Sequence, residues 1–506
     1  MSELLGANTD VLERNAESLS TDARRVQDIR TLAQRAVAEL QAGWNGSDLI
    51  RLTQQLEQQA SPLLAGASAS LDTCAAQLRA QSSAQSAASR FDDAGSPAIP
   101  KSMAPPSPPP TRWSPADHAT WWRSLSTLQQ ERVIREHPEW IGNLDGVSFT
   151  ARDLANRALL TTDRNGLLAE RERLEAVLQG DWSFGVLTNN DALLDQVHDK
   201  LASIDVIEAT LAQSGARQLL LLDLSHERAQ AAIANGNLET ADHVAVFVPG
   251  MTSNVTDTMK EYDKAMSQLQ QRALSESIRA HPTQSATTAT VTWIGYQTPE
   301  LGLDLLNPDK SVASDHTAKD GAALLVPFLR GIDASRDHDA HLTLLGHSYG
   351  STTAALALRK ETGVDDAVFF GSPGLDTNHV KDLLLAPGHA SAGHIDTGHI
   401  DTGHIYYVEA RNDPIGDVGA LLPFGVDPSH LDGIEHASAR ESTVVDPVTG
   451  EIRHFTESTG HSSYLVDKST SQYNMSVIVA GVPNRTVHDS GEGMGDVLSW
   501  PVPGTY

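Results

Sequence analysis

Gly346-His347-Ser348-Tyr349-Gly350 sets a serine between two glycines in the spacing G-x-S-x-G. An apolar run, His341 to Leu345, leads into this pentapeptide, and a small-residue stretch, Ser351 to Lys360, leaves it. Strand, sharp turn and helix in that order predict a nucleophile elbow, with the Ser348 hydroxyl projecting into a cleft. Glycine is needed on both flanks because the strand and helix backbones pass too close for side chains there. The chemistry this suggests is nucleophilic attack on a carbonyl carbon.

A serine hydroxyl is a weak nucleophile at neutral pH, so it needs a histidine to take its proton and a carboxylate to orient that histidine. Asp413, in Ala410-Arg411-Asn412-Asp413-Pro414, directly follows the apolar run Ile405 to Glu409 and is the first candidate for the acid, with Asp376 and Asp417 as alternatives. His461 lies downstream in the polar stretch Ser458-Thr459-Gly460-His461-Ser462-Ser463-Tyr464. His430, His436 and His454 also lie beyond Asp413, and position alone does not separate the four. The oxyanion of a tetrahedral intermediate needs backbone N–H donors already aimed at it. The amide of Tyr349 is one candidate. Val248-Pro249-Gly250-Met251-Thr252-Ser253 offers another, since Gly250 permits dihedrals that would turn the amide of Met251 or Thr252 inward. This set calls for no cofactor and predicts a metal-independent reaction.

The elements that must position these residues are short apolar runs separated by turn residues. Gln218 to Leu222, His243 to Val248, Ala289 to Ile294, His341 to Leu345, Ala367 to Phe370 and Ile405 to Glu409 read as buried strands, most of them separated by helix-length stretches such as Ala318 to Arg330. Strands alternating with helices predict an α/β fold with a mostly parallel central sheet, whose ligands gather at the carboxyl ends of the strands. Trp113 to about Asn235 reads mainly helical, with Ser114 as N-cap and Pro115 at the first helical position. The expected organisation is a helical hairpin over 1–91, a proline-rich linker over 92–112, a helical region over 113–235 and a catalytic domain over 236–506.

In the first of these, Leu12, Leu19, Val26, Ala33 and Leu40 recur every seven residues, and a second apolar seam, from Leu49 to Leu78, follows Gly43-Trp44-Asn45-Gly46. The pair reads as an antiparallel hairpin. Each helix would bury a single stripe, so a helical partner or self-pairing through residues 1–91 is expected. Pro105-Pro106-Ser107-Pro108-Pro109-Pro110 favours a semi-rigid spacer after it.

A net charge of −28 disfavours phosphate backbones and anionic lipid surfaces, which excludes nucleic acid as an expected partner. Cys74 is the single cysteine, so no intramolecular disulfide forms. The N-terminus shows no basic region followed by an apolar one, which argues against a classical signal peptide, and no apolar run reaches transmembrane length. Gly393-His394-Ile395-Asp396-Thr397 is repeated over 398–402 and begins again at Gly403-His404-Ile405. A step of five turns a helix by about 140° and alternates faces on a strand, so these histidines do not converge on a metal.

Two resemblances add to this. Trp44-Asn45-Gly46 at the bend of a helical hairpin resembles the Trp-X-Gly family of small helical proteins exported by type VII secretion, which implies a cytoplasmic protein or one exported by such a route. The Tyr-x-x-x-Asp/Glu signal frequent in that family has no tyrosine here, in Ser89-Arg90-Phe91-Asp92-Asp93. From about Trp113 to Gly481 the chain resembles the actinobacterial α/β-hydrolase domain family of uncharacterised function, related in layout to cutinase-like and lipase-like serine hydrolases. The marks are Trp121-Trp122, Ile141-Gly142, Leu144-Asp145-Gly146, Arg152-Asp153 with Asn156-Arg157, Val248-Pro249-Gly250-Met251, Trp293-Ile294-Gly295-Tyr296, the elbow, Gly371-Ser372-Pro373-Gly374, Asp413-Pro414 and His461 with Tyr464. This resemblance implies an α/β-hydrolase fold and a Ser348, Asp413, His461 triad acting on a small-molecule or lipid ester. Acyl transfer to an alcohol would use the same residues, and a noncatalytic, secretion-associated interaction protein is the alternative that the hairpin suggests. Leu421-Leu422-Pro423-Phe424 and Trp293 are candidates either for an apolar acyl pocket or for core.

Overall fold

The computed structural model describes residues 9–43, scattered helical positions between 61 and 79, and residues 106–180, 189–283, 286–299, 316–386, 404–415 and 424–489. The chain divides into two compact units, Met1–Ala104 and Pro105–Tyr506.

In the first unit, helix α1 (Thr9–Gly43) runs antiparallel to helical residues between 61 and 79. Ser68 Oγ donates to the Ala23 carbonyl at 3.0 Å, Gln34 Nε2 to Ser61 Oγ at 3.3 Å and Arg79 Nη2 to Ser20 Oγ at 2.8 Å, so rising numbers on one arm meet falling numbers on the other. Among the described side chains, small residues make the contact. Ala16, Ala23, Ser61, Ser68 and Ala75 are buried, whereas Leu19 and Val26 of the expected seam are only half-buried. Small side chains let two helix backbones approach closely enough for hydroxyl-to-carbonyl bonds, which a leucine seam would hold apart. The Trp44-Asn45-Gly46 bend lies outside the described residues, as do residues 92–105 of the linker.

In the second unit, strands β1 (Arg217–Asp223), β2 (Gln230–Asn235), β3 (His243–Val248), β4 (Thr288–Ile294), β5 (His341–His347), β6 (Asp366–Phe370), β7 (Ile405–Val408) and β8 (Glu435–Ala437) form one sheet in the order β1-β2-β4-β3-β5-β6-β7-β8. The first three neighbours pair antiparallel and the rest, from β4 to β8, parallel. A parallel strand buried on both faces is mostly apolar along its length, and β3 shows the consequence. Its Val244, Val246 and Val248 join one core with helices α7 (His316–Ala334) and α8 (Tyr349–Ala357). Ala245 and Phe247 face the other way, into a core with helices α6 (Val255–Ala280) and α9 (Thr470–Val479). Two further strands, β9 (Ser442–Val445) and β10 (Ile452–Phe455), form a separate hairpin ribbon.

Before the sheet come helices α2 (Pro115–Ser124), α3 (Thr127–Glu136), α4 (Phe149–Gly180) and α5 (Asn189–Leu211). Ser114 caps α2 with Pro115 in its first turn, as the sequence predicts, and forms a reciprocal capping box with Asp117. The stretch 113–235 departs from the helical expectation at its end. β2, Gln-Ala-Ala-Ile-Ala-Asn, is a fully buried strand, so the boundary expected at 235/236 falls inside the sheet. Alanine favours helix in isolation, but between two neighbouring strands and two covering layers its small side chain fits and tertiary packing overrides the propensity.

β1 is an edge strand, and its outer backbone groups meet side chains instead of another strand. Asn143 donates to the Leu222 carbonyl at 2.7 Å and accepts from the Leu222 amide at 2.9 Å. Asp153 accepts from the Leu219 amide at 2.7 Å, and Arg152 donates to the Leu220 carbonyl at 2.6 Å. Asn156 and Arg157 take the carbonyls of Leu219 and Arg217. Asn143, Arg152, Asp153, Asn156 and Arg157 therefore close a sheet edge that would otherwise offer free hydrogen-bonding groups to another chain.

Candidate active site

β5 delivers Ser348 to the carboxyl edge of the sheet, and α8 starts at the next residue. Ser348 has φ 52° and ψ −132°, a conformation that costs a side-chain-bearing residue on the order of 1–3 kcal/mol and persists only where the surroundings impose it. Here the Ser348 amide donates to the Phe370 carbonyl at 3.1 Å, extending the β5–β6 ladder one residue past its end. A Cβ on Gly346 would fall 2.7 Å from Ser351 Cα, so the glycine allows strand and helix to touch. Beneath the turn, Ser351 Oγ donates to Ser372 Oγ at 2.6 Å, and Ser372 Oγ accepts from the Gly374 amide at 3.1 Å. Ser348 Oγ itself is buried and has no hydrogen-bond partner among the described residues.

Asp413 follows β7 at the same edge. Its two oxygens both lie 3.0 Å from His461 Nδ1, which the contact marks as the protonated nitrogen. Oδ1 also accepts from the Ile415 amide at 3.0 Å, and Oδ2 from the Tyr464 hydroxyl at 2.6 Å. The loops that carry Asp413 and His461 are tied to each other by a bridge between Arg411 and Thr459 and by the Gly460 amide donating to the Arg411 carbonyl at 2.8 Å. Burial opposes ionisation of Asp413, but the bonds from His461 and Tyr464 outweigh it and hold the carboxyl below its ordinary range.

His347, the residue before Ser348, stacks on Phe370, and its ring centre lies 4.7 Å from that of His461. Its Nε2–H donates to the His461 carbonyl at 2.9 Å. Burial, reinforced by the neighbouring His461, pushes its imidazole down to about 4, so it is neutral at physiological pH and adds no charge beside His461. Through His347 the elbow therefore grips the backbone of the loop that carries His461.

The loop after β3 passes directly over the serine. A Cβ on Gly250 would stand 2.6 Å from Ser348 Cβ and 3.0 Å from its Oγ. The Thr252 amide, one of the candidate oxyanion donors, is taken by the Pro299 carbonyl at 2.8 Å. Met251 remains, half-buried against the core beside the elbow. Tyr349, the other candidate, opens α8, and helix geometry directs its amide out of the first turn.

The alternatives are placed elsewhere. Asp376 pairs with Arg359 at 3.2 Å. His430 pairs with Asp427, His454 bonds Thr443 Oγ1 at 2.8 Å, and His436 lies edge-on to Tyr407. Asp417 lies outside the described residues, as do Leu421 to Pro423 and all of the pentapeptide repeat before His404. Trp293 is core: it is 1% exposed and stacks on Tyr296. Phe424 is equally buried and meets the Tyr349 ring edge-on at 5.7 Å. Tyr464 touches Asp413 and His347 touches His461, and the spacing of catalytic types gave neither a role. A tyrosine three residues after His461, and a histidine inside the elbow, were the only traces.

A mostly parallel eight-stranded sheet in this order, helices on both faces and a strained serine after β5 define an α/β-hydrolase fold. Residues 225–423 match the family model described as an alpha/beta hydrolase, a stretch that holds Ser348 and Asp413 and ends before His461. The chain is similar to the uncharacterized protein Rv2079 of Mycobacterium tuberculosis, 31% identical over 325 residues that cover 62% of this chain and 45% of that protein. This chain thus spans less than half the length of that relative. It is also similar to the uncharacterized protein Rv0963c of the same species, 28% identical over 278 residues, 54% of this chain and 94% of that protein. Among solved structures, an esterase of Pyrobaculum calidifontis aligns with a TM-score of 0.31 at 12% identity, covering 62% of this chain and 97% of its own. Esterase LipW from Mycobacterium marinum aligns with a TM-score of 0.32 at 14% identity, covering 59% and 91%. No helix among the described residues is long and apolar enough to cross a membrane.

Proposed function

We propose that this protein is a serine hydrolase that cleaves carboxylic esters through an acyl-enzyme. The observation that carries the reading is the contact of both Asp413 oxygens with His461 Nδ1 at the sheet edge where the strained Ser348 emerges. Ser348 Oγ attacks the ester carbonyl while His461 Nε2 takes its proton, and Asp413 stabilises the resulting imidazolium. The oxyanion is received by the amides of Tyr349 and Met251, fixed before substrate arrives. Collapse of the tetrahedral intermediate passes the proton from His461 to the leaving alcohol and leaves an acyl group on Ser348. Water, deprotonated by His461, then attacks the acyl carbon, releases the acid and restores the serine. The Ser348–His461 hydrogen bond closes as substrate settles, since such contacts are often long in a free enzyme.

The test is labelling by a fluorophosphonate probe together with turnover of short nitrophenyl esters. Ser348→Ala should abolish labelling and lower kcat by about four orders of magnitude or more. Wild-type protein inert to both probe and ester, or labelling that survives Ser348→Ala, would overturn the reading. Product analysis with added alcohols separates hydrolysis from acyl transfer.

A further inference from the structure

We propose that Tyr464 is a positioning residue for the acid, its phenol O–H fixing the Asp413 carboxylate and limiting how much of its charge faces His461. The inference rests on the hydrolase reading above.

Tyr464 is 1% exposed, and its oxygen sits between two loops. It donates to Asp413 Oδ2 at 2.6 Å and accepts from the Ala410 amide at 2.9 Å. The amide polarises the phenol toward the carboxylate, since a hydroxyl that accepts a bond donates a stronger one. Each Asp413 oxygen thus has one donor besides His461, Ile415 N–H on Oδ1 and Tyr464 O–H on Oδ2. Two fixed donors lock the carboxylate plane, so the Nδ1 contact does not depend on His461 alone.

The surroundings are shaped to this arrangement. A Cβ on Gly371, whose φ is +54°, would fall 2.8 Å from Asp413 Oδ2, 3.0 Å from the Tyr464 ring and 3.1 Å from His461 Nδ1. A residue without a side chain therefore lies where Asp413, His461 and Tyr464 converge. Base and phenol are three residues apart on one loop, so any displacement that carries His461 away also withdraws the donor that holds Asp413. The other titratable groups facing the cluster are His347 from the elbow, Tyr407 on β7 and Glu409 just after it.

Removing the phenol oxygen frees carboxylate charge to face His461. The Asp413–His461 pair then takes up its proton at higher pH. In Tyr464→Phe we expect kcat/KM at neutral pH to fall about 10- to 100-fold, mainly in kcat. We also expect the acid limb of its pH profile to move up by about half a unit. Site-specific 3-fluorotyrosine at 464, a stronger donor in an unaltered shape, should move the limb the opposite way. Tyr473→Phe, which removes a buried phenol bonded to the Arg485 carbonyl at 3.1 Å away from the site, should lower Tm and leave both rate and limb unchanged. The inference is overturned if Tyr464→Phe keeps the wild-type rate and limb, or loses only stability as Tyr473→Phe does. Should Tyr464→Phe not fold, an unmoved limb in the fluorotyrosine protein overturns it equally. Wild type that takes no fluorophosphonate overturns the hydrolase reading and this inference with it, whereas a labelled, active wild type with an indifferent Tyr464→Phe overturns this inference alone.

Discussion

Gly250 and Ser348 face each other with no room for a side chain between them: a Cβ on the glycine would come within 2.6 Å of the serine Cβ and 3.1 Å of the His347 carbonyl. The loop after β3 is thereby laid against the elbow, the placement that the proposed oxyanion role of the Met251 amide requires. Gly250→Ala must displace either the loop or the serine. Displacements near 1 Å cost about 100-fold in rate even where the fold survives, so kcat/KM for nitrophenyl esters should fall by about that factor or more. Thermal unfolding run in parallel should show a much smaller change. An alanine variant with the wild-type rate would mean that the loop does not serve the reaction.

Closure of the β1 edge predicts a stability effect far from the serine. Asn143→Ala leaves the Leu222 amide and carbonyl without their side-chain partners. Losing such a pair should destabilise the unit by about 1–3 kcal/mol, visible as a lower urea midpoint with an unchanged slope. An opened edge should also promote association, which light scattering during mild heating would detect. A midpoint equal to wild type would show that solvent satisfies this edge as well as asparagine does.

Acid sensitivity follows from His347. Its folded-state value of about 4 lies below its ordinary 6.5, so on acidification the unfolded chain takes up this proton first. Stability therefore falls as pH drops from about 6.5 toward 4, by on the order of 2 kcal/mol at pH 5 from this group. Asp413, held low, acts in the same direction but only below about 4, where its native bonds are lost to protonation. Urea midpoints at pH 7 and pH 5 check the upper window. His347→Gln, which keeps a donor for the His461 carbonyl, should flatten the dependence there. An unchanged slope in that variant would assign the acid loss to other groups.

Much of the sheet was legible because parallel strands buried on both faces are mostly apolar and β-branched along their length. His243 to Val248 reads as β3 with both ends in place, and β4 to β7 match their apolar runs to within two residues at either end. β2 was not legible, since an alanine-rich segment carries no strand signal until neighbours enclose it. Nor was β8, whose Glu-His-Ala has no apolar pattern and is a strand only because β7 offers a ladder. In the first unit the described buried contacts are alanines and serines, Ala16, Ala23, Ser61, Ser68 and Ala75, which the heptad spacing of leucines does not single out.

The sequence by itself determined where a sharp strand-to-helix turn with a serine at its apex would stand, since G-x-S-x-G lies between an apolar run and a small-residue helix. It also determined which acid and base types follow it in the chain. Only the tertiary structure decided which aspartate meets which histidine, that the Pro299 carbonyl takes the Thr252 amide, and that Tyr464 and Gly371 shape the surroundings of Asp413. Strand and elbow formation depend on near neighbours and their periodicity, which a linear string records. Hydrogen bonds between loops tens of residues apart depend on directions fixed only when the sheet brings β5, β6 and β7 side by side.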